Sequence, residues 1–95
     1  MQFSLEMRAL VPPDVLIQET LGESVLLNIH NGHYFGLDGI GTRMWTVLTT
    51  APSLQSACDT LKAEYDVDAQ RLEKDVRELL EKLVNYGLVD VQRGC

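Results

Sequence analysis

The fold of this 95-residue chain is decided by the stretch from Leu26 to Trp45, LLNIHNGHYFGLDGIGTRMW. Side chains alternate between two faces in its first part: Val25, Leu27 and Ile29 on one, and Leu26, Asn28 and His30 on the other. This period of two is typical of a half-buried strand. Asn31 and Gly32 then predict a two-residue turn, because both residues tolerate the positive φ that such a turn requires. We therefore expect a β-hairpin that leads directly into a helix.

The returning strand of this hairpin carries Phe35 and Leu37 on one face and Tyr34 and Gly36 on the other. The alternation predicts that Tyr34 lies on the face where the partner strand is partly polar. Two interpretations of Tyr34 stay open at this point. It is either an ordinary half-exposed strand tyrosine or a residue that contacts a binding partner.

The composition is that of a single folded domain, with 45% hydrophobic residues in 95. The chain has no apolar run close to the ~20 residues that span a bilayer. Its first residues, MQFSLEMR, have neither the basic segment nor the apolar stretch of a secretory signal. We expect one domain over residues 1–95, in the cytoplasm and without a membrane partner.

Cysteine and histidine are too sparse for a disulfide framework or a metal site. Cys58 is expected to be a small core residue and Cys95 an incidental exposed thiol. His30 and His33 flank the turn, but a zinc site needs a third ligand, and the sequence offers none nearby. The sequence also has no nucleophile elbow and no phosphate-binding glycine loop. We therefore expect no enzymatic activity, no cofactor and no metal, and we place the function in a binding surface.

The other segments predict one more strand, three helices and, from a weak alternation over Leu88–Val91, a short final strand. The strand runs from Val15 to Thr20 and turns at Gly22, and the helices span about residues 39–48, 54–65 and 68–86, with a stop at Gly87. Ser53 and Asp68 are the expected N-caps of the last two helices. In the first helix, Ile40, Met44, Val47 and Leu48 form an apolar stripe beside Trp45, the expected core anchor. The predicted fold class is α+β: a winged-helix-like domain in which a three-stranded antiparallel sheet is followed by three helices.

The third helix has one apolar face and one charged face. The apolar residues are three and four positions apart, as expected of a packed face: Leu72, Val76, Leu79, Leu80 and Leu83. The opposite face interleaves both signs of charge, and Glu73 and Arg77 are spaced for an ion pair. Solvation is the default explanation of these charges.

Charge argues against nucleic acid as the partner, although many winged-helix domains bind DNA. The net charge is −6 and the isoelectric point about 4.7. The segment up to Asp38 holds five acidic residues against the single Arg8. Duplex binding depends on lysine and arginine that neutralise phosphates. A DNA-binding regulator and an isolated structural subunit remain as alternatives without positive support.

Peptide capture is the remaining use of an acidic domain with an open sheet edge. An unpaired strand presents free amides and carbonyls that an extended peptide can satisfy by adding itself as the next strand. If the strand from His33 to Leu37 lies at the edge next to the third helix, the two elements form a groove. The strand would then fix the register of the peptide, and the helix would receive its apolar anchors.

Two separated blocks resemble the PqqD-like family. The first comprises Leu26–Ile29, Asn31–Asp38 (NGHYFGLD) and Gly41–Trp45 (GTRMW), and the second is Asp75–Val89, DVRELLEKLVNYGLV. The resemblance covers about residues 15–91. It implies a non-catalytic domain that recognises the leader of a ribosomally made, modified peptide. The leader would bind as an added strand beside the strand His33–Leu37 and against the helix Asp68–Tyr86.

The motif Gly-x-Tyr-Phe-Gly-Leu-Asp most resembles the corresponding segment of the leader-binding proteins of lasso-peptide pathways. The implied partners are a precursor leader peptide, a leader-removing cysteine protease and an ATP-dependent cyclase. The alternative branch is the carrier of pyrroloquinoline quinone synthesis, which presents its precursor to a radical-SAM enzyme. Because open sheet edges favour pairing, a homodimer is also an expectation.

The expected leader contacts fall on these two elements. On the strand they are His33, Tyr34, Phe35, Gly36 and Leu37, with Tyr34 and Phe35 the first choices. On the helix, Val76, Leu79 and Leu83 would form the pocket wall, and Lys74 and Lys82 the rim for acidic leader residues. Val76 and Leu83 are also plausible core residues, so Leu79, which lies off the centre of the stripe, is the best test.

Overall fold

The computed structural model describes residues 4–93, except for the side chain of Arg93. Cys95 and the first three residues, on which part of the sequence interpretation rested, lie outside the described residues. The elements in chain order are β1 (Met7–Leu10), β2 (Val15–Thr20), β3 (Glu23–Asn28), β4 (Tyr34–Leu37), α1 (Gly39–Thr50), α2 (Leu54–Tyr65), α3 (Ala69–Asn85) and β5 (Asp90–Arg93).

The central feature is an antiparallel sheet in the order β2-β3-β4, which the three helices follow in the chain. The predicted α+β class is confirmed. A second, two-stranded sheet pairs β1 with β5, and Met7 lies opposite Arg93. The strand β1 was not predicted, because its partner lies more than eighty residues away in sequence and four residues carry little local signal. It contributes Ala9, which is fully buried, to the core.

The tight two-residue turn lies between β2 and β3. Leu21 and Gly22 have φ values of 54° and 82°, and Thr20 pairs with Glu23 across them. Two consecutive positive φ values are the signature of a type I′ turn, whose twist matches that of the strands. The side chain of Leu21 is 98% exposed. Leucine therefore occupies a backbone conformation in which asparagine or glycine would be relaxed.

The prediction of a two-residue turn at Asn31-Gly32 is wrong. The connection between β3 and β4 is longer: residues 29–32 lie between Asn28 and His33, whose N–H and C=O join at 2.9 Å. Gly32 alone in this loop has a positive φ, of 77°. Asn31 instead uses its side chain, whose Oδ1 accepts the N–H of His33 at 2.8 Å. This local bond is the usual reason for asparagine in a turn.

The core lies between the inner face of the sheet and the helices. Trp45 and Leu48 of α1 are buried there, so the prediction of Trp45 as a core anchor is confirmed. From α3, four residues of the predicted stripe are buried: Leu72, Val76, Leu80 and Leu83. Ile40, assigned to the apolar stripe of α1, is 57% exposed. Ile40 lies in the first turn of α1. The helix itself ends at Thr50, two residues past the predicted end.

The helix termini follow the capping rules in two cases out of three. Ser53 Oγ accepts the Ser56 N–H at 3.1 Å, as predicted, and Asp38 Oδ1 accepts the Gly41 N–H at 2.7 Å. Asp68 precedes α3 but makes no side-chain capping bond, so that prediction is wrong. At the other end of α3, Leu88 N–H donates to Leu83 C=O and Gly87 N–H to Val84 C=O. This is a Schellman motif, and Gly87 adopts the φ of 73° that it requires.

Candidate functional site

The strand β4 is an edge strand. It pairs with β3 on one side, and within residues 4–93 no strand pairs with its other side. It is also short, because Asp38 begins the cap of α1 immediately after Leu37. A free strand edge carries unpaired backbone donors and acceptors that can take another strand. The predicted position of the sequence His33–Leu37 at an open edge thus agrees with the structure.

Hydrogen bonds to β3 determine which backbone groups of β4 remain free. The Asn28 N–H donates to the His33 C=O at 2.9 Å, so His33 faces β3. In antiparallel pairs the bonded and non-bonded positions alternate. By the observed register, Phe35 and Leu37 also face β3, opposite Leu26 and Ser24. The N–H and C=O groups of Tyr34 and Gly36 therefore point away from the sheet.

A groove runs along this free edge. One depression, of about 430 Å³, is lined by residues that include Phe35, Gly36, Met44 and Leu79. A second, of about 530 Å³, is lined by residues that include His33, Phe35, Gly36 and Tyr86. Phe35 and Gly36 line both, so the two depressions adjoin along β4. We call this surface the edge groove and define it by these two sets of lining residues: residues 32–38, Ile40, Gly41, Met44, Leu79 and Tyr86.

Tyr86 closes one end of the edge groove. Its ring centroid lies 5.6 Å from those of both Phe35 and His33, with interplanar angles of 85° and 51°. These are edge-to-face and tilted aromatic contacts of the favourable kind. Tyr86 was not among the predicted site residues. Its position seven residues after Leu79, two helical turns on the same face, was the signal that could have identified it.

The structure brings all five strand residues of the predicted site to the edge groove. His33, Tyr34 and Gly36 are exposed, Phe35 is half-buried and Leu37 is buried. Leu79 of α3 is half-buried and lines the groove, in the off-centre position expected of it. Val76 and Leu83 are 2% and 0% exposed and belong to the core cluster. Their role as pocket wall stays a prediction, as does every predicted peptide contact.

The two predicted rim lysines lie on different parts of α3. Lys74 lines a separate depression with Gln70, Glu78 and Glu81, none of which lines the edge groove. Lys82 is exposed and lies three residues after Leu79 and four before Tyr86. Helical periodicity puts residues with this spacing on one face. Of the two lysines, Lys82 shares its helix face with Leu79 and Tyr86, although it lines neither depression of the edge groove.

Tyr34 lies on the outer face of the sheet, and this face is not the partly polar one predicted for it. Tyr34 pairs with Leu27, which in turn pairs with Leu16, so its neighbours on this face are apolar. The polar residues of β3, Ser24 and Asn28, are buried on the inner face. There Ser24 Oγ lies 2.8 Å from Thr42 Oγ1 and is satisfied by it. The expectation that Tyr34 faces partly polar residues is wrong, and Tyr34 is 70% exposed.

Two other features are structural in character. Arg43 of α1 and Glu64 of α2 form a bidentate ion pair, with Nε–Oε1 and Nη2–Oε2 distances of 2.9 and 2.7 Å. Hydrogen bonding to Arg43 lowers the pKa of the Glu64 carboxyl below its ordinary value. Burial raises the pKa of the Cys58 thiol, which packs against the core. Cys58 is thereby disfavoured as a thiolate nucleophile.

Residues 4–93 contain no group of three or more His, Cys, Asp or Glu side chains that could hold a metal ion. None of the helices in the same range has the length and hydropathy needed to cross a bilayer.

Comparison with protein families identifies the sequence. Residues 23–89 match the family model described as coenzyme PQQ synthesis protein D (PqqD). The chain belongs to the PqqD family. The matched segment includes β3, β4 and all three helices, and therefore the whole edge groove. The resemblance recognised in the sequence is confirmed. No curated protein sequence matches the chain significantly.

Two solved structures are similar to this PqqD-family chain over most of both lengths. One is TbiB1 in complex with the TbiA(beta) leader peptide, at 35% identity and a TM-score of 0.76, covering 85% of this chain and 94% of that one. The other is lasso peptide synthetase B1 complexed with the leader peptide, at 25% identity and a TM-score of 0.74, covering 90% and 98%. Both of these similar proteins bind leader peptides.

Proposed function

We propose that this protein captures the leader of a ribosomally made precursor peptide in lasso-peptide biosynthesis and delivers the precursor to its processing enzymes. The observation that carries the proposal is the free edge of β4 beside the apolar edge groove. The similarity to two leader-bound structures supports the same function. The chain would act by binding alone, without catalysis, in the cytoplasm where precursors are synthesised.

In this proposal the leader adds a strand to β4. The free N–H and C=O groups of Tyr34 and Gly36 would bond the leader backbone and set its register. Side chains that alternate toward the helices would enter the edge groove, where Phe35, Met44 and Leu79 offer apolar contact. Lys82 would meet acidic leader residues at the rim. Backbone bonds would thus supply register, and the groove would supply selectivity.

The downstream partners in this proposal are a leader-removing cysteine protease and an ATP-dependent cyclase. The second candidate function is that of a peptide carrier for a radical-SAM enzyme in pyrroloquinoline quinone synthesis, which the description of the matching family favours. The genes beside this one discriminate between the two. A short precursor gene next to a protease and an asparagine-synthetase-like cyclase supports the lasso pathway, and a radical-SAM enzyme supports the alternative.

Binding is tested by titrating the protein into a fluorescent synthetic peptide that carries the leader region of the precursor encoded beside its gene. Saturable binding measured by fluorescence anisotropy is the expected result. A linear response at protein concentrations up to the millimolar range would contradict the proposal. A homodimer is tested on the same samples by sedimentation, with and without the leader.

A matched pair of proline variants tests which edge takes the leader. Gly36→Pro removes a free N–H from β4 without touching a bond to β3, and proline is tolerated in edge strands at such positions. At the opposite edge, Asp14 C=O accepts the Ile29 N–H, so by alternation Glu19 N–H points outward from β2. Gly36→Pro should abolish binding, whereas Glu19→Pro should leave it unchanged. The reverse pattern would move the site to β2.

A further inference from the structure

The β3–β4 hairpin is attached to the end of α3 by two asparagines, one at the end of β3 and one in the loop that follows. Asn28 Nδ2 donates to the Gly87 C=O at 2.6 Å, and Asn31 Nδ2 donates to the Tyr86 C=O at 3.3 Å. We call these two side chains and the two carbonyls they bind the asparagine clasp. It joins the hairpin that carries β4 to the helix that forms the opposite wall of the edge groove.

Asn28 is the stronger half of the clasp. It is 7% exposed, and its Oδ1 accepts the N–H groups of both His30 and Asn31, at 2.8 and 3.3 Å. Because both of these partners are donors, the other side-chain atom that faces Gly87 must be the amide nitrogen. One side chain therefore shapes the loop with its oxygen and binds the end of α3 with its nitrogen.

The clasp leaves little room at Gly87. A Cβ atom on that residue would lie 2.7 Å from Asn31 Nδ2 and 3.1 Å from Asn28 Nδ2. Because the two asparagine side chains approach Gly87 closely, the preceding residue, Tyr86, lies against the β4 segment. Its ring then contacts both His33 and Phe35.

We propose that Asn28 is a positioning residue for leader binding: by binding Gly87, it holds Tyr86 against β4 and thereby shapes one end of the edge groove. The inference rests on the proposed function, because it assigns a role within the same site. Asn28 itself is buried under the loop and would not touch the leader. Its effect on affinity would pass through the Tyr86 ring.

The test uses Asn28→Asp, which keeps the oxygen that shapes the loop but replaces the donor with an oxygen facing the Gly87 carbonyl. We expect affinity for the synthetic leader peptide to fall about tenfold, as for an unsatisfied buried polar contact. Asn85→Asp is the matched control, since it adds the same charge at the exposed end of α3. It should change affinity by less than about twofold. The NMR chemical shifts of the Phe35 ring protons should change in Asn28→Asp and stay unchanged in Asn85→Asp.

A double-mutant cycle separates positioning from general destabilisation. In a Tyr86→Ala background, Asn28→Asp should no longer weaken binding, because the ring through which it acts is gone. An equal loss of affinity in both backgrounds would overturn the inference. If Asn28→Asp does not fold, Asn31→Asp gives the same test, since it keeps the bond to His33 N–H and loses the one to Tyr86 C=O.

The cycle also distinguishes this inference from the proposed function. If the wild-type protein does not bind the leader peptide, the proposed function is wrong. If the wild type binds and Asn28→Asp, folded by circular dichroism, binds equally well, only the positioning role of Asn28 is wrong.

Discussion

The ring of Tyr86 lies edge-on to the ring of Phe35, with centroids 5.6 Å apart at an angle of 85°. The contact joins the residue that caps α3 to the middle of an open edge strand. It gives the edge groove a wall at one end, while Leu79 and Met44 line the part beyond Phe35. Groove shape therefore depends on how the end of α3 is held as well as on β4 itself.

Leu79 is predicted to contribute to leader affinity as well as to the packing of α3 against the core. Leu79→Ala should weaken binding by about 1–2 kcal/mol, because the side chain is half-buried in the groove and a leader anchor would complete its burial. Isothermal titration calorimetry measures the change. Leu16→Ala on the outer face of β2 is the control and should leave affinity unaltered. Equal effects of the two variants would remove Leu79 from the site.

Val76 is predicted to contribute to the stability of the fold and not to leader affinity. It is 2% exposed in the core, so Val76→Ala should lower the free energy of unfolding by about 2 kcal/mol through lost burial and a residual cavity. Urea denaturation gives this value. Leader affinity of the folded fraction should stay within about twofold of wild type. A large loss of affinity without loss of stability would instead support Val76 as the pocket wall first predicted.

Leu21 offers a route to a more stable protein. Its φ of 54° costs energy in a leucine, and the side chain gains almost nothing from packing because it is exposed. Leu21→Asn creates an Asn-Gly type I′ turn and should raise the free energy of unfolding by about 0.5–1 kcal/mol. Val67→Asn, at an exposed apolar residue of ordinary φ, controls for the loss of apolar surface. A decrease in the Leu21→Asn melting temperature would contradict the strain argument.

Gly87 and Gly36 should respond differently to the same substitution. Gly87→Ala places a methyl group at positive φ and within 2.7 Å of Asn31 Nδ2, and it should destabilise the fold by about 1–2 kcal/mol. A Cβ at Gly36 meets nothing within 4 Å, so Gly36→Ala should be close to neutral. Thermal unfolding of the two variants checks the contrast, and similar stabilities would argue against the close packing at Gly87.

The Arg43–Glu64 ion pair predicts a pH dependence. Its hydrogen bond lowers the pKa of Glu64 in the folded state, so the pair stabilises the fold above the unfolded pKa. This contribution is lost as pH falls through the folded pKa. Arg43→Gln should therefore lower the melting temperature at about pH 7, slightly because both groups are exposed, and the difference should shrink at about pH 3. A difference that grows on acidification would contradict this.

Local patterns were enough to predict the main sheet and helices. The strand Val15–Thr20 and the helix Leu54–Tyr65 have the predicted bounds, because alternation, an N-cap serine and a helical stripe all act over short distances. A two-residue turn was predicted at Asn31-Gly32 because both residues tolerate positive φ. The backbone instead forms this turn at Leu21-Gly22, where leucine gives no signal.

Contacts between residues that are far apart in the sequence could not be predicted from local patterns. The β1–β5 sheet joins the two ends of the described chain, and Tyr86 reaches Phe35 only after the whole helical segment has folded. The family resemblance supplied the choice of β4 as the binding edge, and the structure agrees that this edge is open. The burial of Val76 and Leu83 follows from their central positions on the α3 stripe, whereas Leu79 lies at its side.

Amide hydrogen exchange followed by NMR tests strand addition at β4 most directly. On saturation with the synthetic leader, the amides of Tyr34 and Gly36 should become strongly protected, because each would donate to the added strand. The outward amides of Ile17 and Glu19 at the β2 edge should exchange as they do in the free protein. Protection of Ile17 and Glu19 with Tyr34 and Gly36 unchanged would contradict leader capture at the edge groove.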